Sequence, residues 1–203
     1  DRASEADRAT DATEQMEVVV AAVDALQAER TLTAAQWGGA GPEVRSLLQD
    51  ARERSDDALG RAGAALVRLG QLDRSLLGIS QIARVELEGL GAVRDESDRT
   101  APGTAWVDGF APVVGSLLDV QEGTAIAVAA LGIDAGLRDV VLLERLKDAA
   151  SAQAAVVAVA AAEGRVSPEQ AEVLRELRAD EAAYRVAYLS AAPPEQRAAR
   201  RNA

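Results

Sequence analysis

The sequence predicts an all-α protein, an elongated up-and-down antiparallel bundle of about six long helices. Apolar residues recur every three or four positions along almost the whole chain, and the alternation typical of strands is not found. The 203 residues are 48% hydrophobic but only 2% aromatic, so Ala, Leu and Val must form the core, which favours closely packed helices. The length and the short connections allow one elongated domain over residues 1–203, or two four-helix-bundle subdomains that share long helices.

The first helix is predicted over about residues 3–36, because its apolar seam keeps a spacing of three and four throughout. The seam positions are Met16, Val19, Val23, Leu26, Arg30, Thr33 and Trp37. The glycine-rich segment 38–42 ends this helix. The seam therefore passes from apolar residues to an arginine without changing face.

The second and third helices are predicted on either side of a glycine. Pro42 suits the first turn of the second helix, which is predicted to run to Leu69, where Gly70 breaks it. A third helix is predicted from near Leu72 and fades in the acidic stretch 95–98. The acidic stretch lacks the ligand spacing of a calcium loop, so it is interpreted as a solvated helix end and no metal site is predicted.

The fourth and fifth helices follow a loop at residues 102–103. The fourth begins near Trp106 and ends at Gly132. Asp134 is predicted to be the N-cap of the fifth helix, which extends to about Glu163.

The sixth helix has the clearest start signal in the chain. Gly164 suits the end of the preceding helix, Ser167 an N-cap, Pro168 the first helical position, and Gln170 the closing residue of a capping box. Residues 193–203 follow a Pro-Pro pair and are predicted to be the start of a truncated C-terminal helix or a linker.

Composition excludes several function classes. The chain has no Cys and no His, which excludes thiol nucleophiles, disulfides and imidazole acid–base chemistry and argues against zinc. Its net charge of −11 argues against a nucleic-acid partner. Lys147, the only lysine, follows no glycine-rich loop, so no phosphate-binding loop and no cofactor are predicted.

No uninterrupted run of 18 apolar residues exists, so no transmembrane helix is predicted, and no signal peptide is visible at Asp1. These observations fit a soluble cytoplasmic protein, and they fit equally a segment excised from a longer chain.

Arg30 must meet an anion or reach water through partial exposure, because burying a guanidinium without a partner costs several kcal/mol. One partner is an internal carboxylate. Glu181 is the first choice, since it falls on the seam of the sixth helix, and Glu29 or an acid of a neighbouring helix is the fallback. The other is a small bound anion, held by the planar fork of guanidinium donors.

Several segments together resemble the nitrate- and nitrite-sensing (NIT) domain. Residues 26–34 contain the Leu-Gln-x-Glu-Arg run typical of that family's first helix. The further similarities are Arg52 with Ser55 and Asp56 in the second helix, the aromatic-led fourth helix, residues 142–148 and the turn at 164–168. The resemblance extends over about residues 18–203.

The resemblance implies a helical sensor domain on the extracytoplasmic face of the membrane, between two transmembrane helices. The output is usually a cytoplasmic histidine kinase, less often a chemoreceptor or an antiterminator, and the composition is similar to that of actinobacterial sensor kinases. A homodimer is expected. Residues 1–15 are then a polar, membrane-proximal lead-in, and the chain itself is not an enzyme.

The resemblance also implies candidate ligand residues. Arginines of the first helix and of a second Glu-Arg motif hold the anion in this family. Arg30 matches the first, but the second motif falls at Gln153-Ala154, where both residues are lost. The candidate anion-binding residues are Arg30, Gln27, Thr33, Arg52 and Gln153. With half the clamp missing, nitrate binding is predicted to be weak or undetectable.

The alternative function is a helical protein-interaction module without a small-molecule ligand. An intact arginine cluster around an anion favours the sensor. A pair between Arg30 and Glu181 in a dry core favours the interaction module.

Overall fold

The computed structural model describes residues 2–37, 41–99, 105–132 and 136–191, and these residues form six α-helices and no strand. In chain order the helices are α1 (Arg2–Trp37), α2 (Pro42–Leu72), α3 (Leu77–Arg99), α4 (Ala105–Ala130), α5 (Leu137–Glu163) and α6 (Pro168–Ala191). The predicted all-α bundle of six long helices is confirmed. With 36 residues, α1 is the longest helix and extends for about 54 Å at 1.5 Å per residue.

The first four helices close into a four-helix bundle, in which α1 and α3 each pack against both α2 and α4. α5 packs against α1 and α4, and α6 packs mainly against α5. Only one of the two predicted four-helix bundles is therefore present. A second bundle would need α6 to pack against α1 or α4 as well as α5, and it packs mainly against α5. Within α6, whose residues are all described, only Gln170 is buried.

The core consists mainly of Ala, Val and Leu, as the composition predicted. Its central helices are α1 and α4, which share α5 as a neighbour. Fully buried core residues of these two helices include Val19, Val23, Leu26, Phe110, Val114 and Leu117. Ala9 and Ala12 also lie in the core, so part of the polar segment 1–15 packs against the bundle as the start of α1.

Hydropathy alone makes one stretch of α4, Gly109–Ala130, long and apolar enough to cross a membrane, with a mean hydropathy of 1.3. Half of this stretch is buried inside the bundle. α4 packs against α1, α3 and α5, and the polar residues Gln121 and Thr124 are fully buried within it. These contacts are typical of the core helix of a bundle, which is apolar around most of its circumference.

The break predicted at Gly70 is wrong. α2 continues through Gly70 to Leu72, and α3 begins at Leu77 rather than near Leu72. The helix ends because Asp73 Oδ1 accepts hydrogen bonds from the backbone N–H and the hydroxyl of Ser75, both at 2.7 Å, which closes a turn. Gly70 serves close packing instead, since a Cβ there would lie 3.2 Å from Leu77 Cδ1.

The start of α5 differs from the predicted one. Asp134 lies outside the described residues, and the N-cap position is occupied by Gly136, which adopts a left-handed φ of 65°. The loop at 102–103, the segment 193–203 and the side chain of Trp106 also lie outside the described part of the chain.

The predicted start of α6 is confirmed. The Ser167 backbone N–H donates to Gln170 Oε1 at 2.8 Å, and the Gln170 N–H donates to Ser167 Oγ at 3.1 Å. This reciprocal pair is the capping box. Gly164 ends α5 with a left-handed φ of 67°, as a glycine at that position favours.

Candidate functional site

Four polar side chains of one segment of α1 are buried in the bundle. Gln27, Glu29, Arg30 and Thr33 are at most 6% exposed. Successive residues of a helix are rotated by about 100°, so adjacent residues face different neighbours. Accordingly, Glu29 contacts α2 and α3, whereas Arg30 contacts α5.

Arg30 pairs with Asp148 of α5. Its Nη2 donates to Asp148 Oδ1 at 2.7 Å and to the Asp148 backbone carbonyl at 3.0 Å. The guanidinium is 1% exposed and the carboxylate 23%. The α1–α5 interface therefore contains a charge pair that is buried on the α1 side and reaches water on the α5 side.

The predicted partner of Arg30, Glu181, is wrong. Glu181 accepts a hydrogen bond from Gln153 Nε2 at 2.7 Å and pairs with Arg185 on its own helix. The physical reason is topological: α6 packs mainly on α5, so the seam of α6 meets α5 and not α1. The fallback, an acid of a neighbouring helix, agrees with the observed Asp148.

Two buried donors next to this pair have no partner. Arg30 Nε and Gln27 Nε2 form no hydrogen bond with any described residue. Residues three apart lie on the same side of a helix, so both donors belong to one face of α1. Leaving a buried donor unsatisfied costs about 1–3 kcal/mol, so these donors indicate a place for an added acceptor.

Thr33 lies one turn beyond Arg30 on α1. Its hydroxyl donates to the Glu29 backbone carbonyl at 2.9 Å, within the same helix. The hydroxyl oxygen can still accept a hydrogen bond, but the hydroxyl proton is already donated to the Glu29 carbonyl. Thr33 thus contributes to the buried polar segment and offers no free donor.

Glu29 is the centre of a second polar cluster, between α1, α2 and α3. Its carboxylate is fully buried and accepts hydrogen bonds from Arg94 Nε at 2.7 Å, Arg94 Nη2 at 2.9 Å and Ser55 Oγ at 2.5 Å. Arg52 Nε lies 3.6 Å from it. Burial lowers the pKa of the Arg94 guanidinium, but hydrogen bonds to Glu29 and Asp56 outweigh burial and leave that pKa above its ordinary value.

Two exposed carboxylates complete this Glu29 cluster. Arg94 Nη1 pairs with Asp56 at 2.6 Å, and Arg52 makes two hydrogen bonds to Asp98, at 2.8 and 2.9 Å. The bonds from Arg52 hold the pKa of Asp98 below its usual range. Two arginines thus face three carboxylates, so this side of α1 offers no positive charge to an anion.

The five predicted ligand residues are therefore divided among three places. Gln27, Arg30 and Thr33 lie together on α1, whereas Arg52 belongs to the Glu29 cluster. Gln153 faces α6, where its Nε2 also lies 3.4 Å from the Leu177 carbonyl. The resemblance in α2 is nevertheless structurally meaningful, since Arg52, Ser55 and Asp56 all converge on the Glu29 cluster.

A third polar cluster lies at the α1–α5 interface, one turn before Asp148. Lys147 pairs with Glu144 at 2.9 Å and with Asp24 of α1. Burial raises the pKa of Glu144, and the hydrogen bond from Lys147 only partly opposes this effect. Carboxylates thus outnumber cations here too.

Sequence reasoning missed Arg94 and Asp148, although a signal exists for each. Arg94 lies four residues after Leu90 and three before Ser97, both buried on α3, so it shares their face. Asp148 lies seven residues after the buried Val141 and four before the buried Ala152.

The described residues contain no group of three His, Cys, Asp or Glu side chains placed to hold a metal ion. The polar clusters described above consist of guanidinium, ammonium, carboxylate, hydroxyl and amide groups. Around Arg30, that chemistry suits hydrogen bonding to a small anion.

The family model described as "Nitrate and nitrite sensing" (NIT) matches residues 21–203. The match includes the buried polar segment of α1 and all of α2 to α6. No curated protein and no solved structure matches the chain.

Proposed function

Because the chain belongs to the nitrate and nitrite sensing (NIT) family, we propose that it is the extracytoplasmic sensor domain of a membrane-bound histidine kinase and that its anion site is centred on Arg30. One observation carries the site: the buried guanidinium, whose Nε lies on the same face of α1 as Gln27 Nε2, neither donor having a partner among the described residues. Both donors would gain a partner from a planar anion.

Asp148 would compete with a bound anion for Arg30. Its carboxylate occupies Nη2 of the guanidinium fork, where a planar anion would also bind. An anion that replaces Asp148 removes a bond between α1 and α5. Binding then favours an arrangement in which these two helices are less tightly joined, which is the differential affinity that a signalling shift requires.

Nitrate affinity is expected to be low for two reasons. Gln153 and Ala154 stand where the family's second arginine motif belongs, and Gln153 faces α6. Asp148 also repels an incoming anion. Binding in the millimolar range, about −4 kcal/mol, or weaker is expected.

Asp148→Asn tests this proposal. Asparagine keeps the shape and one acceptor oxygen but removes the negative charge. Calorimetric titration should show nitrate and nitrite binding to the variant at least about tenfold more tightly than to the wild type, which corresponds to about 1.4 kcal/mol.

The control is Asp119→Asn, which removes an exposed carboxylate that pairs with Arg145 of the same helix as Asp148. It should leave nitrate binding unchanged. Adding Arg30→Gln to Asp148→Asn should abolish binding. If Asp148→Asn binds nitrate no better than the wild type, the site is not at Arg30.

The membrane context rests on topology. Short connections favour antiparallel neighbours, so we expect six helices to place the start of α1 and the end of α6 at the same end of the molecule. This placement supports attachment of both chain ends to one membrane and transmission to a cytoplasmic kinase. A homodimer with like ends together would then pair the attached helices.

One observation favours the alternative, a helical interaction module without a small-molecule ligand. Arg30 already has an internal carboxylate partner in Asp148, so its charge does not need a ligand. The titration of Asp148→Asn separates the two functions, because an interaction module would bind nitrate in neither form.

A further inference from the structure

A surface cavity of about 440 Å³ lies between α4 and α5, away from the contacts of Arg30. Its apolar lining consists of Ala125, Ile126, Ala129, Val141 and Leu142. The volume falls within the range of about 300–1,000 Å³ that is common for small-molecule sites. Ile126 is 65% exposed, so the lining is open to solvent.

Two charged residues, Glu122 and Arg138, also line this α4–α5 cavity, and only Glu122 forms an ion pair with a described residue. Glu122 pairs with Arg145 at 3.0 Å, and Arg145 pairs also with Asp119. Arg138 forms no hydrogen bond or ion pair with any described residue. Arg138 is therefore the lining cation that no described carboxylate pairs with.

The position of Arg138 in the fold reinforces this charge. It lies in the first turn of α5, a helix of 27 residues, where the helix dipole is positive. The N-cap residue, Gly136, has no side chain to accept hydrogen bonds from that turn. Asp139 also lies in this turn, but it does not line the cavity.

We infer that the α4–α5 cavity binds a small aliphatic carboxylate, with its chain on the apolar lining and its carboxylate on Arg138. A guanidinium fork matches the planar, two-oxygen geometry of a carboxylate. Arg138 is the one lining cation without a carboxylate partner among the described residues, so a ligand with one negative charge suits it. The rest of the lining is aliphatic and suits a chain without polar groups. This inference is independent of the anion site at Arg30.

The experiment is an NMR titration of the ¹⁵N- and ¹³C-labelled protein with sodium octanoate. We expect saturable shifts of the signals of Ala125, Ala129, Val141 and Leu142. Arg138→Gln should weaken octanoate binding about tenfold, the effect of losing one charged contact. Arg61→Gln, which removes an exposed arginine of α2, should not change it.

Two ligand controls and one further variant locate the site. Octanol, with the chain but no charge, should bind wild type and Arg138→Gln equally and more weakly than octanoate binds wild type. Acetate, with the charge but no chain, should produce no saturable shift. Ala129→Trp fills the cavity from an exposed position and should abolish octanoate binding.

Equal octanoate affinity of wild type and Arg138→Gln would overturn the inference. So would undiminished binding to Ala129→Trp, or shifts centred away from α4 and α5.

Discussion

At the scale of single residues, Arg52 and Arg94 both lie next to the buried Glu29 but contact it differently. Arg94 makes two direct hydrogen bonds to that carboxylate, whereas Arg52 approaches it only to 3.6 Å and bonds mainly to the half-exposed Asp98. Removing one partner of a buried ion pair is costly, because the remaining charge stays buried. Exposed pairs contribute at most about 1 kcal/mol.

We therefore expect Arg94→Met to lower the free energy of unfolding by about 3–5 kcal/mol and Arg52→Met by about 1 kcal/mol. Urea denaturation of the two variants measures both values. Methionine keeps most of the apolar stem in each case, so the comparison isolates the charged contact. A larger loss for Arg52→Met would mean that the Glu29 charge is compensated mainly from α2.

Glu144 gives the stability of the protein a pH dependence of known sign. Burial raises the pKa of this carboxyl above its ordinary value in the folded state. Protonation of Glu144 therefore stabilises the fold. This contribution is fully present below the ordinary pKa and is lost as the pH rises through the raised one.

Glu144→Gln should consequently raise the unfolding temperature at pH 7 by about 1–3 °C, since a neutral side chain avoids the desolvation of the charge. Lys147 is 40% exposed and keeps Asp24 as a partner, so losing its bond to Glu144 costs little stability. Thermal melts between pH 4 and pH 8 measure the effect, which should shrink toward acidic pH. A variant that is less stable than wild type at pH 7 would show that the bond to Lys147 dominates.

At the scale of the helices, two glycines of α4 have opposite surroundings. A Cβ at Gly123 would overlap Ile79 Cδ1 and lie 3.1 Å from Leu76 Cδ2, so these two side chains fill the space over this glycine. A Cβ at Gly115 would meet nothing within 4 Å. Gly123 thus supports helix packing, and Gly115 only weakens its helix.

Gly115→Ala should stabilise the protein by about 0.5–1 kcal/mol through helix propensity. Gly123→Ala gains the same propensity, but displacing Ile79 and Leu76 outweighs it, and we expect a net loss of about 1 kcal/mol. Guanidinium denaturation of the two variants compares them in one helix. Equal stabilisation by both would show that α3 adjusts without strain.

At the scale of the whole molecule, we expect the isolated domain to dimerise weakly, because membrane attachment normally supplies the effective concentration. The net charge of −11 makes two copies repel each other, and salt screens this repulsion. Sedimentation equilibrium should therefore show an average mass that rises with protein concentration and with salt. A spin label near the start of α1 should report its counterpart in the second copy, and a strict monomer or a head-to-tail pair would contradict the proposal.

The sequence by itself determined the helices and their buried faces. Helical periodicity is a local property, so the seam of α1, including Arg30 and Thr33, follows from spacing alone. The capping box at Ser167 and Gln170 is local as well, and both of its residues were predicted. Where local signals compete, prediction failed: Gly70 suited a helix end, but the Asp73 turn and the contact with Leu77 decided the boundary.

Only the tertiary structure decided which partner each buried charge meets. Spacing shows that Arg30 faces inward, but it does not tell which helix lies opposite. Spacing favoured Glu181, with Glu29 or an unnamed acid of a neighbouring helix as the fallback, and the packing of α6 on α5 excludes Glu181 and leaves Asp148 as the partner. Glu29 and Arg30 are neighbours in sequence, yet they face different helices because each residue turns the helix by about 100°. The sequence therefore shows that a guanidinium at this position favours an anionic partner. Only the arrangement of the helices determines which carboxylate that partner is.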